Sequence, residues 1–142
     1  MPEIALRVLD AADHGLLCAV SDGLFDHPIN PTQAAAFLND PLHHIVLAFD
    51  GAEAVGMASG TVLFHPDKPP AFFINEVATR EGWMRRGIAT AVCRRLIALA
   101  RDLGCRGVWL GTETDNAAAI ALYRSLKGHE MTGVFFGWDD AL

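Results

Sequence analysis

The chain has 142 residues, of which 51% are hydrophobic and 20% charged, and its net charge is −6. This length predicts one domain covering residues 1–142, large enough to bury a core. Apolar runs fall short of the ~20 residues that span a bilayer, and the sequence does not open with a signal-peptide pattern. We therefore expect a cytoplasmic protein without a membrane partner, whose three widely spaced cysteines stay reduced.

Charge is unevenly distributed along the sequence. Residues 1–79 carry ten acidic side chains against two basic ones, whereas residues 80–106 carry seven arginines against two acidic side chains. A basic segment in an acidic protein indicates an anionic cofactor at that segment and a cationic substrate near the acidic part. Nucleic acid is not an expected partner, because no basic stripe is long enough to follow its backbone. Arg94, Arg95 and Arg101 are better explained as the solvated face of a helix.

Hydrophobic periodicity predicts four strands and two short helices before the basic segment. Asp10 or Asp13 is suited to cap the first helix, and Thr32 opens the second. The loop 27–31 contains two prolines and separates these helices. The predicted elements are strand 4–8, a helix with Leu16, Leu17, Val20 and Leu24 on one face, helix 32–38, and strands 44–49, 54–64 and 71–79.

A long amphipathic helix follows the basic turn and ends at Gly104. Its apolar stripe consists of Ile88, Val92, Leu96, Leu99 and Leu103. After it we predict a short buried strand at 107–111, a helix at 116–126, and closing strands at 129–132 and 134–138. The order β-α-α-β-β-β-α-β-α-β-β predicts an α/β (α+β) fold with a mixed, mostly antiparallel sheet and helices on both faces.

The turn between strand 71–79 and the long helix is the most informative segment. It contains Arg85-Arg86-Gly87 and leads into a helix N-terminus, where free backbone N–H groups and the helix dipole attract an anion. Gly87 permits a ligand to approach the backbone closely. The pattern indicates a phosphate or pyrophosphate ligand, and the alternative is an ordinary solvated turn. The sequence lacks the glycine-rich patterns of the common nucleotide-binding folds.

Two motifs in this order resemble the GNAT superfamily, the GCN5-related N-acetyltransferases. Met84-Arg85-Arg86-Gly87-Ile88-Ala89 is similar to the acyl-CoA motif Gln/Arg-x-x-Gly-x-Gly/Ala, with Met84 where Gln or Arg is usual. Residues 116–123 resemble the family segment Asn-x-x-Ala-x-x-x-Tyr. The resemblance extends over nearly the whole chain and implies the GNAT fold. Residues 74–78 further resemble the aminoglycoside 3-N-acetyltransferases, which have an acidic residue at the position of Glu76.

The resemblance implies acetyl-CoA as the acetyl donor and assigns residues to bind it. Backbone groups of Val77 and Ala78 are expected to contact the pantetheine arm and the thioester carbonyl. Asn116 and Ala119 are also expected to bind the cofactor, although Asn116 suits a helix cap equally. The residues expected around the phosphates are Arg85, Arg86, Gly87, Ile88, Ala89 and Thr90.

Glu76 and Tyr123 are the implied catalytic residues. Partial burial would raise the pKa of Glu76 and suit it to accept the amine proton, directly or through water. Its alternative role is an ordinary ion pair with an arginine. Tyr123 is expected to donate a proton to the departing thiolate, and its alternative role is a core aromatic. No zinc-like ligand spacing surrounds the histidines, and we expect no metal.

These features predict an acetyl-CoA-dependent N-acetyltransferase in which a primary amine attacks the thioester directly. The favoured acceptor is a small aminoglycoside-like polycation, and we expect some of the acids Asp22, Asp26, Asp40 and Asp67 to face its groove. The alternatives keep the chemistry and change the acceptor to a polyamine, an amino acid or a protein or peptide amine. A non-catalytic acyl-CoA-binding module is the alternative of a different class. A homodimer is an expectation that only the family supplies.

Overall fold

The computed structural model describes residues 3–142. These residues form two compact units, of which the first ends at Gly111 and the second comprises Thr112–Leu142. The single domain that the length predicts remains a prediction. Among the described residues, no helix has the length and apolar character that crossing a bilayer requires.

The first unit contains a five-stranded sheet in the order β1-β2-β3-β4-β5. Its strands are β1 (Ile4–Val8), β2 (His43–Asp50), β3 (Glu53–Leu63), β4 (Ala71–Thr79) and β5 (Val108–Trp109). Neighbouring strands pair antiparallel as far as β4, whereas β4 and β5 pair parallel because a helical crossover connects them. The predicted mixed, mostly antiparallel sheet is confirmed.

Four α-helices are formed by the described residues: α1 (His14–Cys18), α2 (Pro31–Asn39), α3 (Ile88–Asp102) and α4 (Ala117–Ser125). A short 3₁₀ turn capped by Asp10 precedes α1. The first helix is shorter than predicted, since α1 ends at Cys18 and leaves Val20 and Leu24 in the following loop. Leu24 is nevertheless buried, because that loop returns to the sheet and packs against it.

The two faces of the sheet carry separate hydrophobic cores, as the prediction of helices on both faces requires. Helix α3 covers one face with Ile88, Val92 and Leu96, which confirms most of its predicted stripe. Helices α1 and α2 cover the other face with Leu17 and Ala34. The sheet is therefore a buried layer whose functional groups can reach solvent only at strand ends, edges or gaps between the helices.

Two predictions for the C-terminal part are wrong. The predicted buried strand 107–111 contains only the two residues of β5, and Trp109 is 53% exposed. The predicted closing strands at 129–132 and 134–138 are not formed, because the second unit offers no partner strand to complete their hydrogen bonds. Their large apolar side chains, Met131, Val134, Phe135, Phe136 and Trp138, are between 62% and 82% exposed.

Candidate active site

Strand β4 has an open edge beyond its first residues. Its parallel partner β5 pairs only with Phe72 and Phe73, whereas β4 continues to Thr79. Within the first unit, residues 76–79 therefore pair with β3 alone. Val77 and Ala78 lie in this stretch and are half-buried. An extended ligand can bind to such an edge through backbone hydrogen bonds.

A helix N-terminus suited to an anion follows this edge. Gly87 occupies the N-cap position of α3 in the left-handed conformation, with φ of 79°, and it provides no capping side chain. The N–H groups of Ile88, Ala89 and Thr90 begin the helix and have no helical carbonyl before them. A Cβ atom on Gly87 would meet nothing within 4 Å, so the space in front of the turn is open.

The turn before Gly87 adds positive charge and backbone strain. Arg85 also has a left-handed conformation, with φ of 63°, which is unfavourable for a residue with a side chain. Arg85 and Arg86 are both exposed beside the helix N-terminus. An open strand edge followed by a basic helix N-terminus fits a ligand with an extended arm and a diphosphate, as acetyl-CoA has. Met84, at the position where the motif has Gln or Arg, is exposed and contributes no buried contact.

A β-bulge places Glu76 on the face of the sheet opposite α3. The β3–β4 register shifts at this point: Ser59 pairs with Glu76 and Gly60 with Ile74, so Asn75 is the extra residue. Ile74 and Val77 belong to the core under α3, whereas Asn75 and Glu76 both line a cavity on the other face. Regular alternation would direct Glu76 toward α3 with Ile74. The bulge reverses that direction, as bulges do near functional sites.

The cavity beside Glu76 has a volume of about 610 Å³, within the range of small-molecule sites. Its titratable residues are Asp26 and His27 from the α1–α2 loop, His43 from β2, and Glu76 from β4. Its apolar walls are formed by Leu17, Phe25, Ile29, Ala34, Phe37 and Ile45. The cavity thus combines apolar walls with four ionisable residues.

The surroundings of Glu76 favour its protonated form. Burial raises the pKa of Glu76, and the negative charge of Asp26 raises this pKa further. Each effect disfavours the carboxylate form, so the group holds a proton more tightly than an exposed glutamate does. Among residues 3–142, no arginine forms an ion pair or hydrogen bond with Glu76. The alternative of an ordinary ion pair is therefore wrong for this side chain.

Of the four acids expected at an acceptor groove, Asp26 lines the cavity and the others have different surroundings. The backbone carbonyl of Asp22 accepts a hydrogen bond from Arg80. The carboxylate of Asp40 accepts from the N–H of Leu42, which lowers the pKa of Asp40. Asp67 lies 3.7 Å from the Lys68 ammonium in an exposed loop. The negative charge at the cavity is consequently limited to Asp26 and Glu76 among the acidic residues.

The second unit holds the remaining predicted residues on α4. Asn116 caps this helix, and its side-chain oxygen accepts a hydrogen bond from the N–H of Ala119 at 3.1 Å. Tyr123 lies one turn after Ala119, on the same face, and is half-buried. The capping role that the sequence left open for Asn116 is thus confirmed, and it leaves the amide NH₂ group of that side chain as the donor for a ligand.

Sequence reasoning missed most of the cavity wall. The sequence of residues 27–31 indicates only a break between helices, yet residues 27–30 line the cavity. The available signal was an acid and a histidine beside two prolines, which favour a rigid and functional loop. Asn75 and Ser59 were missed as well, because a bulge depends on pairing with another strand.

Comparisons with known proteins agree with this geometry. The profile of the acetyltransferase (GNAT) family matches residues 11–128. The N-alpha-acetyltransferase RimI of Mycobacterium tuberculosis is 30% identical over 133 residues, covering 92% of this chain and 81% of that protein. These matches include both motifs and the segment that forms the cavity.

Solved structures share the fold. An aminoglycoside acetyltransferase from an uncultured soil metagenomic sample, in complex with sisomicin, has a TM-score of 0.85 at 18% identity, covering 96% of this chain and 95% of that one. The aminoglycoside N-acetyltransferase AAC(6')-Iy, in complex with a CoA-containing bisubstrate analogue, has a TM-score of 0.80 at 15% identity and covers 98% and 99%. The chain belongs to the GNAT family of acetyltransferases, enzymes that use acetyl-CoA as the acetyl donor, and it is an N-acetyltransferase.

Proposed function

We propose that this N-acetyltransferase binds its acceptor as an ammonium group in the cavity beside Glu76 and Asp26. Two carboxylates that line the same cavity attract a cationic group to it. The apolar walls hold the remainder of the acceptor and exclude water from the reacting nitrogen. The single observation that carries this proposal is the bulge that directs Glu76 into the cavity, next to the open edge of β4.

Glu76 is proposed as the general base. Its raised pKa makes its carboxylate a stronger base than that of an ordinary glutamate, and it takes the ammonium proton directly or through a water molecule. The freed nitrogen forms a bond to the acetyl carbon, the bond from that carbon to sulfur breaks, and the second proton of the nitrogen leaves to solvent, from which Tyr123 is reprotonated after it has donated. Acetyl-CoA supplies the activated acetyl group as a thioester. Tyr123 is proposed, from its motif position on α4, to donate the proton that the departing thiolate requires.

The cofactor contacts are proposed on three parts of the chain. Backbone groups of Val77 and Ala78 bind the pantetheine arm and polarise the thioester carbonyl. The phosphates bind at the α3 N-terminus, where the contributing residues are Arg85, Arg86, Gly87, Ile88, Ala89 and Thr90. Asn116 and Ala119 are proposed to contact the pantetheine arm from α4.

A peptide α-amine is the acceptor that the cavity fits best. The single carboxylate pair suits one ammonium group, and walls that include Phe25, Ile29 and Phe37 suit an apolar side chain next to it. The similarity to RimI, which is named an N-alpha-acetyltransferase, supports the same acceptor class. Binding of a side chain in the cavity would select among peptides by their first residue.

An aminoglycoside-like polycation is the second candidate. It is the acceptor that the sequence motifs favour, and an aminoglycoside acetyltransferase of the same fold is in complex with sisomicin. Those neighbours whose names give a position include 6'-N-acetyltransferases, so the resemblance to 3-N enzymes remains a prediction. A polycation would need acidic groups beyond Asp26 and Glu76 to bind its further ammonium groups.

The two candidates are separated by thiol release from acetyl-CoA with a panel of acceptors at two salt concentrations. We expect peptides with an apolar first residue to give the highest kcat/KM, with little change as salt rises past ~0.1 M. A salt-sensitive preference for gentamicin-like aminoglycosides or spermidine would instead support the polycation. Thiol release with none of these amines, alongside normal acetyl-CoA binding, would favour a non-catalytic binding module.

A further inference from the structure

Arg80 directly follows β4, four residues after Glu76, and its side chain is only 12% exposed. Its guanidinium donates three hydrogen bonds to backbone carbonyls. Nε donates to Ala54 at 3.1 Å, Nη1 to Asp22 at 2.7 Å, and Nη2 to Ser21 at 3.0 Å. A buried arginine therefore holds two separate segments of chain, the turn after α1 and the start of β3, against the end of β4.

The turn that Arg80 holds leads directly into the cavity wall. Gly23 follows Asp22 with φ of 105°, and a Cβ atom there would lie 3.2 Å from the Arg80 Nη1 atom. The chain thus folds closely around the guanidinium. Leu24 is then buried, and Asp26 lies in the cavity with Glu76. Few residues separate the carbonyls that bind Arg80 from the carboxylate that faces the proposed base.

The charge of Arg80 is balanced locally. Glu53 lies 3.5 Å from its Nε atom, and Arg80 does not figure among the causes that raise the pKa of Glu76. Its influence on the cavity must therefore pass through the chain segments it binds. The ionisable groups that face the cavity are Asp26, His27, His43 and Glu76.

We infer that Arg80 is a positioning residue, which fixes the loop carrying Asp26 against β4 so that Asp26 faces Glu76. This inference rests on the proposed role of Glu76 as the base. Lysine cannot replace Arg80, because one ammonium group does not reach three carbonyls that the planar guanidinium bonds simultaneously. Acceptor binding in the cavity and protonation of Glu76 both depend on this loop, whereas the cofactor turn does not.

The sign of the pH effect separates positioning from a direct charge effect. Loss of a nearby positive charge would raise the pKa of Glu76, since it removes an attraction for the carboxylate. Displacement of Asp26 would lower that pKa, because a nearby negative charge is removed. A residue with a merely structural role would change stability and leave the pKa of Glu76 unchanged.

The test compares Arg80→Lys with Arg7→Lys. Arg7 lies on β1, donates a hydrogen bond to Asp13 at 2.7 Å and does not line the cavity, so Arg7→Lys is a control for the loss of a guanidinium. We expect Arg80→Lys to raise the acceptor KM about tenfold, to move the acidic limb of the kcat/KM profile to lower pH, and to leave acetyl-CoA affinity unchanged. Arg7→Lys is expected to keep both the acceptor KM and the acidic limb.

A double variant completes the test. Because both changes act on the same carboxylate, Arg80→Lys with Asp26→Asn should shift the acidic limb no further than Asp26→Asn alone. If Arg80→Lys does not fold, Gly23→Ala perturbs the same turn with the guanidinium intact and should shift the limb in the same direction. The inference is overturned if the acidic limb of Arg80→Lys is unchanged or moves to higher pH. The proposed role of Glu76 as the base is tested separately by Glu76→Gln. The base role of Glu76 and the positioning role of Arg80 can therefore fail independently.

Discussion

The cofactor turn and the acceptor cavity are built in different ways. The turn from Arg85 to Thr90 presents backbone N–H groups at the start of α3, and no side chain caps them. The cavity presents side chains from the α1–α2 loop, α2, β2 and β4. A backbone site depends on local conformation, so we expect it to tolerate side-chain changes such as Met84. A side-chain site depends on packing between distant segments, so it can change its specificity while the fold persists.

The largest expected effect tests the side-chain site. Glu76→Gln keeps the shape of the residue and removes its ability to accept a proton, so kcat should fall by ~10²–10⁴. Steady-state thiol release measures it, with Asp67→Asn as a control acid in an exposed loop. Near-normal turnover in Glu76→Gln would remove the base from the mechanism.

The next effect tests the backbone site. Gly87→Glu places a side chain at φ of 79° and a negative charge at the helix N-terminus that we propose binds the phosphates. Acetyl-CoA affinity should fall about 100-fold, roughly 2.7 kcal/mol, as measured by calorimetry. Gly51→Glu is the matched control, because Gly51 also has a left-handed conformation, with φ of 60°, in the turn between β2 and β3. Equal losses of affinity in both variants would indicate strain alone.

Asp26→Asn tests the coupling within the cavity. Asp26 raises the pKa of Glu76, and the base acts only when it is deprotonated, so activity is lost as pH falls through that pKa. Removing the charge lowers the pKa and moves the acidic limb of the kcat/KM profile to lower pH. Burial still raises the pKa, so the limb should stay above the value of an exposed glutamate. The acceptor KM should rise about tenfold. A limb that moves to higher pH contradicts the coupling.

The smallest expected effect concerns a side chain next to the backbone site. Met84→Gln restores the usual residue of the motif at an exposed position just before the cofactor turn. If backbone amides dominate recognition, acetyl-CoA affinity should change by no more than about threefold, which is roughly 0.6 kcal/mol. The same calorimetric titration measures it. A gain of more than tenfold would show that a side chain at this position contributes much of the binding.

The sequence by itself determined the elements whose signals are local. The stripe on α3, the strand 71–79 and the basic Gly87 turn each depend on residues close in the chain, and the structure agrees with all three. The family match includes the two motifs, which are also patterns of residues close in the chain. The start of a helix and the left-handed conformation of a glycine such as Gly87 can be predicted because both follow from short sequence patterns.

Tertiary structure alone decided the acceptor side and the C-terminal segment. The register shift at Asn75 depends on pairing between β3 and β4, and the cavity wall depends on how the α1–α2 loop packs, partly through Arg80. Alternation in residues 129–138 favours strands, but strands form only where another strand completes their hydrogen bonds. The direction in which a side chain points, the register between two strands and the choice of a partner strand are set by contacts between segments far apart in the sequence. Local patterns do not encode those contacts.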